Sequence, residues 1–169
     1  MKALTKNAIS KKKCGFEICK PESEWRRELG ERYGILRGSG TEPPFTGALL
    51  GNKKHGSYVC GACGNELFSS DSKFDSGTGW PSFFEPINRE CVSLKRDVSH
   101  GMIRTEVLCA RCGSHLGHHF EDGSRKSRFC MNSGALDFAE KNEKKKRKIK
   151  MLIHPLAGQI LTFFLLFLI

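Results

Sequence analysis

Two cysteine pairs constrain this chain more than any other feature. "CGACG" holds Cys60 and Cys63, and "CARCG" holds Cys109 and Cys112. Each pair has two intervening residues and a following glycine, so one tight turn presents two thiolates to one ion. Two such turns build a tetrahedral four-sulfur site, a donor set that suits Zn2+. Forty-five residues lie between the pairs. An ion held by both ties remote segments together, which couples metal binding to folding. Four protein thiolates close the coordination shell, so the spacing predicts one structural metal per chain rather than a catalytic one. The competing reading is two unrelated redox C-x-x-C motifs.

The 169 residues suffice for one domain with its own core, and 18 glycines with 38% hydrophobic residues favour a loop-rich, mainly β architecture. Short apolar runs between Gly, Asn, Asp and Ser clusters predict antiparallel strands at "SYVCG", "CVSLKR", "MIRTEVLCA" and "SRFCMN". A short helix is expected at "PESEWRREL", where Pro21 and Ser23 are start signals and Trp25 and Leu29 share a face. The glycine- and proline-rich "GSGTEPPFTGALLGNKKHGS" reads as a long loop.

The formal charge of +10 is concentrated at the ends. Residues 1–20 carry +5, residues 141–150 carry +6, and the remainder sums to −1. A nucleic-acid-binding domain carries its basic stripe on the folded body, so this distribution argues against nucleic acid as a partner. The division expected is a disordered basic arm at 1–20, a folded domain at 21–140, a basic linker at 141–150 and an apolar tail at 151–169. The tail, "MLIHPLAGQILTFFLLFLI", has no charged residue and is about the length a bilayer span needs. It reads either as a C-terminal membrane anchor with the domain on the cytosolic side, or as an artefact of gene prediction, an apolar extension that no cell makes. The first twenty residues lack the apolar stretch of a secretory signal and, unlike most mitochondrial presequences, contain no arginine. The expected location is cytoplasmic, where a disulfide framework is disfavoured.

One cysteine stands apart. Cys130, in "SRFCMNSG", has Arg128 two residues before it and Asn132 two residues after. On a strand these alternate side chains share a face. A thiol attacks as its thiolate, a form that cations and hydrogen-bond donors favour. "SHLGHHFED" adds His115, His118 and His119, with Asp122 to orient or charge an imidazole, and "SGTGWPSFF" adds Trp80 as an apolar wall. The residues therefore suggest a reactive cysteine in a small pocket. The bland alternative makes Cys130 a buried small hydrophobe, the histidines structural and Trp80 a core residue.

From about Ser23 to Phe138 the sequence resembles the methionine-R-sulfoxide reductase family, B type. The resemblance rests on "GTEPPFTG", "YVCGACGNELFSSDSKFDSGTGWPSF", "RTEVLCARCGSHLGH" and "RFCMNSGALDF". It implies two antiparallel sheets with helical decoration at the N-terminus, and the four-cysteine zinc. It also implies Cys130 as nucleophile, surrounded by Trp80, His115, His118, Phe120, Asp122, Arg128 and Asn132. Cys130 would become a sulfenic acid while the substrate, peptide-bound or free methionine-R-sulfoxide, becomes methionine. His115 or His118 would supply the proton.

Two departures from the family pattern stand out. Many members carry a resolving cysteine in the turn before the tryptophan, where this chain has Thr78. Resolution would then fall to Cys91, to Cys14 or Cys19 on the N-terminal arm, or to an external thiol of the thioredoxin or glutaredoxin type. The loop "EDGSRKSRFC" is also shorter than the family's and lacks its prolines. Two competing functions remain open: a non-enzymatic zinc-binding module of similar fold, and a membrane-tethered redox sensor that uses Cys130 without turnover.

Overall fold

A computed structural model of the protein describes residues 14–121 and 127–141. The chain enters through helix α1, Glu22–Leu29, a 3-10 turn at Gly30–Arg32 and a single helical turn α2, Tyr33–Leu36. Pro21 is the N-cap, and its carbonyl accepts from the amides of Glu24 (2.9 Å) and Trp25 (3.2 Å). Glu22 and Glu24 in the first turn and Arg26 and Arg27 in the last complement the helix dipole. Trp25 is 1% exposed, with the cations of Lys20 and Arg37 within 4.9 and 5.4 Å of its ring.

Nine strands follow: β1 Gly56–Cys60, β2 Glu66–Ser69, β3 Lys73–Phe74, β4 Ser82–Phe83, β5 Val92–Asp97, β6 Arg104–Cys109, β7 His115–Glu121, β8 Ser127–Met131 and β9 Leu136–Glu140. They form two antiparallel sheets, ordered β2-β1-β9 and β3-β4-β8-β7-β6-β5. The mainly β expectation and its two sheets are borne out. The four strands read from alternation are β1, β5, β6 and β8. Unforeseen were β2, the two-residue β3 and β4, β9 and above all β7, whose H-L-G-H-H-F-E alternates poorly because its histidines and glycine face different surroundings.

Aromatic side chains join the sheets. Phe68 of β2 stacks on Phe83 of β4 at 4.4 Å, Tyr58 of β1 meets Phe83 edge-on at 4.9 Å, and Phe68 approaches Phe129 of β8 at 5.8 Å. Tyr58, Phe68 and Phe83 are fully buried, so this is the centre of the core.

Two side chains from the N-terminal region fasten the stretch after β8. Arg32 donates to the carbonyls of Gly134 (2.7 Å) and Leu136 (3.1 Å) and pairs with Asp137 (2.9 Å). The carboxylate of Glu42 accepts from the amides of Ser133 (2.6 Å) and Gly134 (2.8 Å), while its carbonyl accepts from the Trp80 indole (3.1 Å). Charge-assisted bonds of this kind are the stronger class.

Part of the arm expected to be disordered is held in place. Ile18 donates its amide to the carbonyl of Arg111 (3.0 Å), Phe16 packs on Gly113, and Cys14 and Cys19 form a disulfide with each other. The expectation that disulfides are disfavoured does not hold for this pair. Among the described residues no helix is long and apolar enough to cross a membrane; the apolar tail at 151–169 lies outside them.

Replacing Trp25 removes the side chain that seats α1 on the body. Trp25→Ala is expected to lower stability by about 3–5 kcal/mol, measured as a shift in the urea unfolding midpoint; a shift below about 1 kcal/mol would show that α1 contributes little to the core.

Candidate active site and metal centre

Both C-x-x-C turns repeat one backbone pattern. The amide of Gly64 donates to the carbonyl of Cys60, and that of Gly113 to the carbonyl of Cys109, each at 2.8 Å. Gly64 (φ 71°) and Gly113 (φ 72°) are left-handed, the conformation for which glycine is needed. The first turn hangs from β1 of the smaller sheet and the second from β6 of the larger. All four sulfurs lie within 4.8 Å of one another, with Cys60–Cys112 at 3.8 Å and Cys63–Cys109 at 3.6 Å. A tetrahedral ion with sulfur bonds of about 2.3 Å sets its sulfurs about 3.8 Å apart, so the four residues are positioned to bind a metal ion. Asn65 Nδ2 reaches Cys109 Sγ (3.7 Å) and Ser114 Oγ lies 3.3 Å from Cys112 Sγ, polar neighbours that a thiolate cluster favours.

The second site is a cleft of about 240 Å³ on the larger sheet. Its construction follows from strand register. In the β7–β8 pair His118 stands opposite Cys130 and Phe120 opposite Arg128. Side chains directly opposite in an antiparallel pair share a face, so these four project together. Arg128 places its guanidinium 4.5 Å from the Phe120 ring centroid. Trp80, held by Glu42, closes the cleft from the turn before β4, and Thr41 and Asn132 line it as well.

His115 reaches the cleft through an irregularity. It is three residues from His118, a spacing that a regular strand would send to opposite faces. The β6–β7 register shifts between Val107 and Leu108, and the two imidazoles come to 5.5 Å with edge-to-face rings. Gly117 lies in this stretch at φ 157°. A Cβ there would sit 2.2 Å from the carbonyl oxygen of Cys130, so only glycine lets β8 close on β7. His119 falls on the other face, against Phe129 at 4.5 Å and hydrogen-bonded to Ser127.

Each cleft histidine has its own carboxylate. His115 Nδ1 lies 2.8 Å from Glu106 Oε1, both buried, and burial pushes the His115 imidazole below its ordinary pKa despite the carboxylate. His118 Nε2 lies 2.9 Å from Asp97 Oδ2. Hydrogen bonds from Ser99, then His118 and Arg104, hold the Asp97 carboxyl well below the usual carboxylate range. Asp97, Arg104 and Glu106 escaped the sequence reading. A signal existed: alternation in "MIRTEVL" sets Arg104 and Glu106 on one face of β6, beside β7.

The cleft thus gathers Cys130, Trp80, His115, His118, Phe120 and Asn132, with Arg128 beside it. Asn132 is buried and engaged: its Oδ1 accepts from Thr41 Oγ1 (2.8 Å) and its Nδ2 donates to the carbonyl of Leu116 (3.3 Å). Asp122 lies outside the described residues. The resolving candidates are placed elsewhere. Cys91 is buried at the start of β5, its sulfur 3.0 Å from the Asn88 carbonyl and 3.4 Å from that of Leu67. Neither it nor the bonded pair Cys14–Cys19 lines the cleft.

Comparison with known proteins agrees with this geometry. The SelR domain matches residues 29–140. A peptide methionine sulfoxide reductase MsrB of Leifsonia xyli subsp. xyli is 55% identical over 132 residues, spanning 76% of this chain and 95% of that protein. Its counterpart in Leptospira interrogans is 53% identical over 126 residues, spanning 73% and 96%. One from Acinetobacter baumannii is 52% identical over 132 residues, spanning 75% and 95%. Both cysteine turns and the Cys130 strand fall within the matched segment, and the chain belongs to the SelR domain family.

Proposed function

We propose that the protein reduces methionine-R-sulfoxide to methionine with Cys130 as nucleophile. The observation that carries this reading is the register that sets Cys130 against His118 inside an aromatic-walled cleft, in a chain of this family. The Cys130 thiolate attacks the sulfoxide sulfur. One proton is taken up, the sulfoxide oxygen passes to Cys130 as a sulfenic acid, and the thioether leaves. The step balances: the sulfoxide gains two electrons and the cysteine sulfur loses two.

His118 is the better proton source. With Nε2 engaged by Asp97, Nδ1 is the nitrogen left to face the departing oxygen. His115 is buried and held neutral, and its one N–H, on Nδ1, is given to Glu106, so its Nε2 is left as a hydrogen-bond acceptor in the cleft and not as a proton source. Trp80 and Phe120 supply apolar walls for the substrate methyl group, and a fixed place for both methyl and oxygen distinguishes one epimer from the other. Arg128 and Asn132 act as positioning residues, Arg128 through its stacking on Phe120 and Asn132 by joining the Thr41 loop to β7.

The metal suited to four thiolates is Zn2+, held by Cys60, Cys63, Cys109 and Cys112; its contribution is structural, the clamping of one sheet to the other. The sulfenic acid must be returned to the thiol by a thiol reductant, for which an external dithiol of the thioredoxin or glutaredoxin type is proposed. The burial of Cys91 and the mutual pairing of Cys14 and Cys19 support that choice over an internal one. A non-enzymatic metal module is not favoured, because it leaves the cleft without a purpose.

Three outcomes are expected. With dithiothreitol as reductant, the protein reduces dabsylated methionine-R-sulfoxide but not the S epimer, and Cys130→Ser abolishes turnover while keeping its circular dichroism spectrum; an inactive wild type with metal bound would reject the function. Cys109→Ser loses the bound zinc, read by a colorimetric chelator, and unfolds; a well-folded, metal-free variant would contradict the structural role. The third concerns pH. Because the folded His115 titrates below the ordinary value of 6.5, the unfolded chain binds the extra proton first as pH falls through that value. Its contribution to stability is therefore complete above about pH 6.5 and erodes below it. Denaturation at pH 8 and pH 5.5 should show a smaller loss in His115→Gln than in the wild type; equal losses would mean that His115 is not held neutral.

A further inference from the structure

Thr78 occupies the turn before Trp80, and its hydroxyl is in contact with the reacting sulfur: Oγ1 lies 3.9 Å from Cys130 Sγ. Behind it runs a chain of hydroxyls. Ser76 Oγ is 2.8 Å from Thr78 Oγ1 and 2.7 Å from Ser82 Oγ, and Ser82 is fully buried, opposite Cys130 in the β4–β8 pair. Ser82 Oγ also reaches the carbonyl of Trp80 (3.2 Å).

A hydroxyl both donates and accepts, and its hydrogen turns about the C–O bond. The chain therefore has two hydrogen-bonding polarities. In one, Ser82 donates to the Trp80 carbonyl, Ser76 to Ser82 and Thr78 to Ser76, leaving Thr78 Oγ1 to accept from a Cys130 S–H. In the other, every hydroxyl has turned: Ser82 donates to Ser76, Ser76 to Thr78 and Thr78 to the sulfur. No heavy atom moves between them, and the cost is one buried bond to the Trp80 carbonyl.

We propose that the Thr78 hydroxyl is a further catalytic group, which donates a hydrogen bond to the Cys130 sulfur while that sulfur is anionic, with Ser76 and Ser82 as the positioning residues that let it turn. The proposal rests on Cys130 being the nucleophile. A hydrogen bond to a charged group is worth enough to change a rate about tenfold or more. It also gives Thr78 a purpose at the one position where a cysteine would instead form a disulfide with Cys130.

The test uses the full-length, zinc-loaded protein and two readouts. The first is the rate of Cys130 alkylation by iodoacetamide at pH 7, followed by peptide mass spectrometry, which requires no sulfoxide. The second is single-turnover formation of sulfenic acid, trapped with dimedone. Thr78→Val keeps the shape and removes the hydroxyl; it is expected to slow both about tenfold. Thr78→Ser should restore both to within about threefold, a rescue that packing alone would not produce. Ser76→Ala should give a smaller loss of the same kind. Unchanged alkylation in Thr78→Val, or a Thr78→Ser as slow as Thr78→Val, overturns the proposal. Failure of the wild type to form sulfenic acid while alkylation responds as expected would reject the reductase reading and leave the hydroxyl chain standing.

Discussion

Four sulfurs, one pair from each of this protein's two sheets, converge on a single point. Cys60 ends β1 of the smaller sheet and Cys109 ends β6 of the larger, so an ion bound by their turns would clamp the sheets at one edge. The aromatic cluster of Tyr58, Phe68 and Phe83 fills the space between them. A metal clip contributes free energy on the order of 10 kcal/mol when such a site forms, comparable to the whole stability of a small domain. The strands that carry the cleft begin beside this clip: β7 opens three residues after Cys112 and is built onto β6, and β8 is built onto β7.

The cleft is placed by that order. Once β8 lies against β7, register alone sets Cys130 opposite His118 and Arg128 opposite Phe120. The remaining side chains arrive from outside the sheet through specific polar contacts. Glu42 is central here: its carboxylate caps the amides after β8 and its carbonyl holds the indole of Trp80. Asn132 anchors the neighbouring Thr41. The proline-rich segment around Glu42 is thus an ordered strap that couples one wall of the cleft to the end of the Cys130 strand.

The histidines show how much a strand irregularity decides. H-x-x-H on a regular strand serves two faces, and a reading by alternation gives no reason to pair His115 with His118. The register shift in β6–β7, with Gly117 admitting β8 at close range, turns both rings into the same space. Different carboxylates then give them different surroundings. His115 with Glu106 is enclosed and neutral, whereas His118 meets an Asp97 whose charge is secured by Ser99 and Arg104.

Legibility in the sequence followed the range of the interactions. The metal turns were readable because C-x-x-C-G is a local device, and α1 and four strands were readable because helix start signals and alternation are local too. The place of Cys130 on a strand, with Arg128 and Asn132 two residues to either side, was readable in the same way. Asp97 was missed because a lone carboxylate in a charged strand carries no sign of its partner, and Glu106 because alternation gives its face on β6 but not that β7 lies beside it. The fates of Cys91 and the Cys14–Cys19 pair were equally hidden, since nothing in "NREC" or in a lysine-rich arm states what they pack against. By itself the sequence determined the mainly β class and which four cysteines are positioned to bind an ion, and it singled out Cys130, all from patterns within a few residues of chain. Only the tertiary structure decided which histidine sits opposite the sulfur, which carboxylate orients it and which cysteines stand away from the cleft, because strand order, register and a single bulge bring together residues that no local pattern connects.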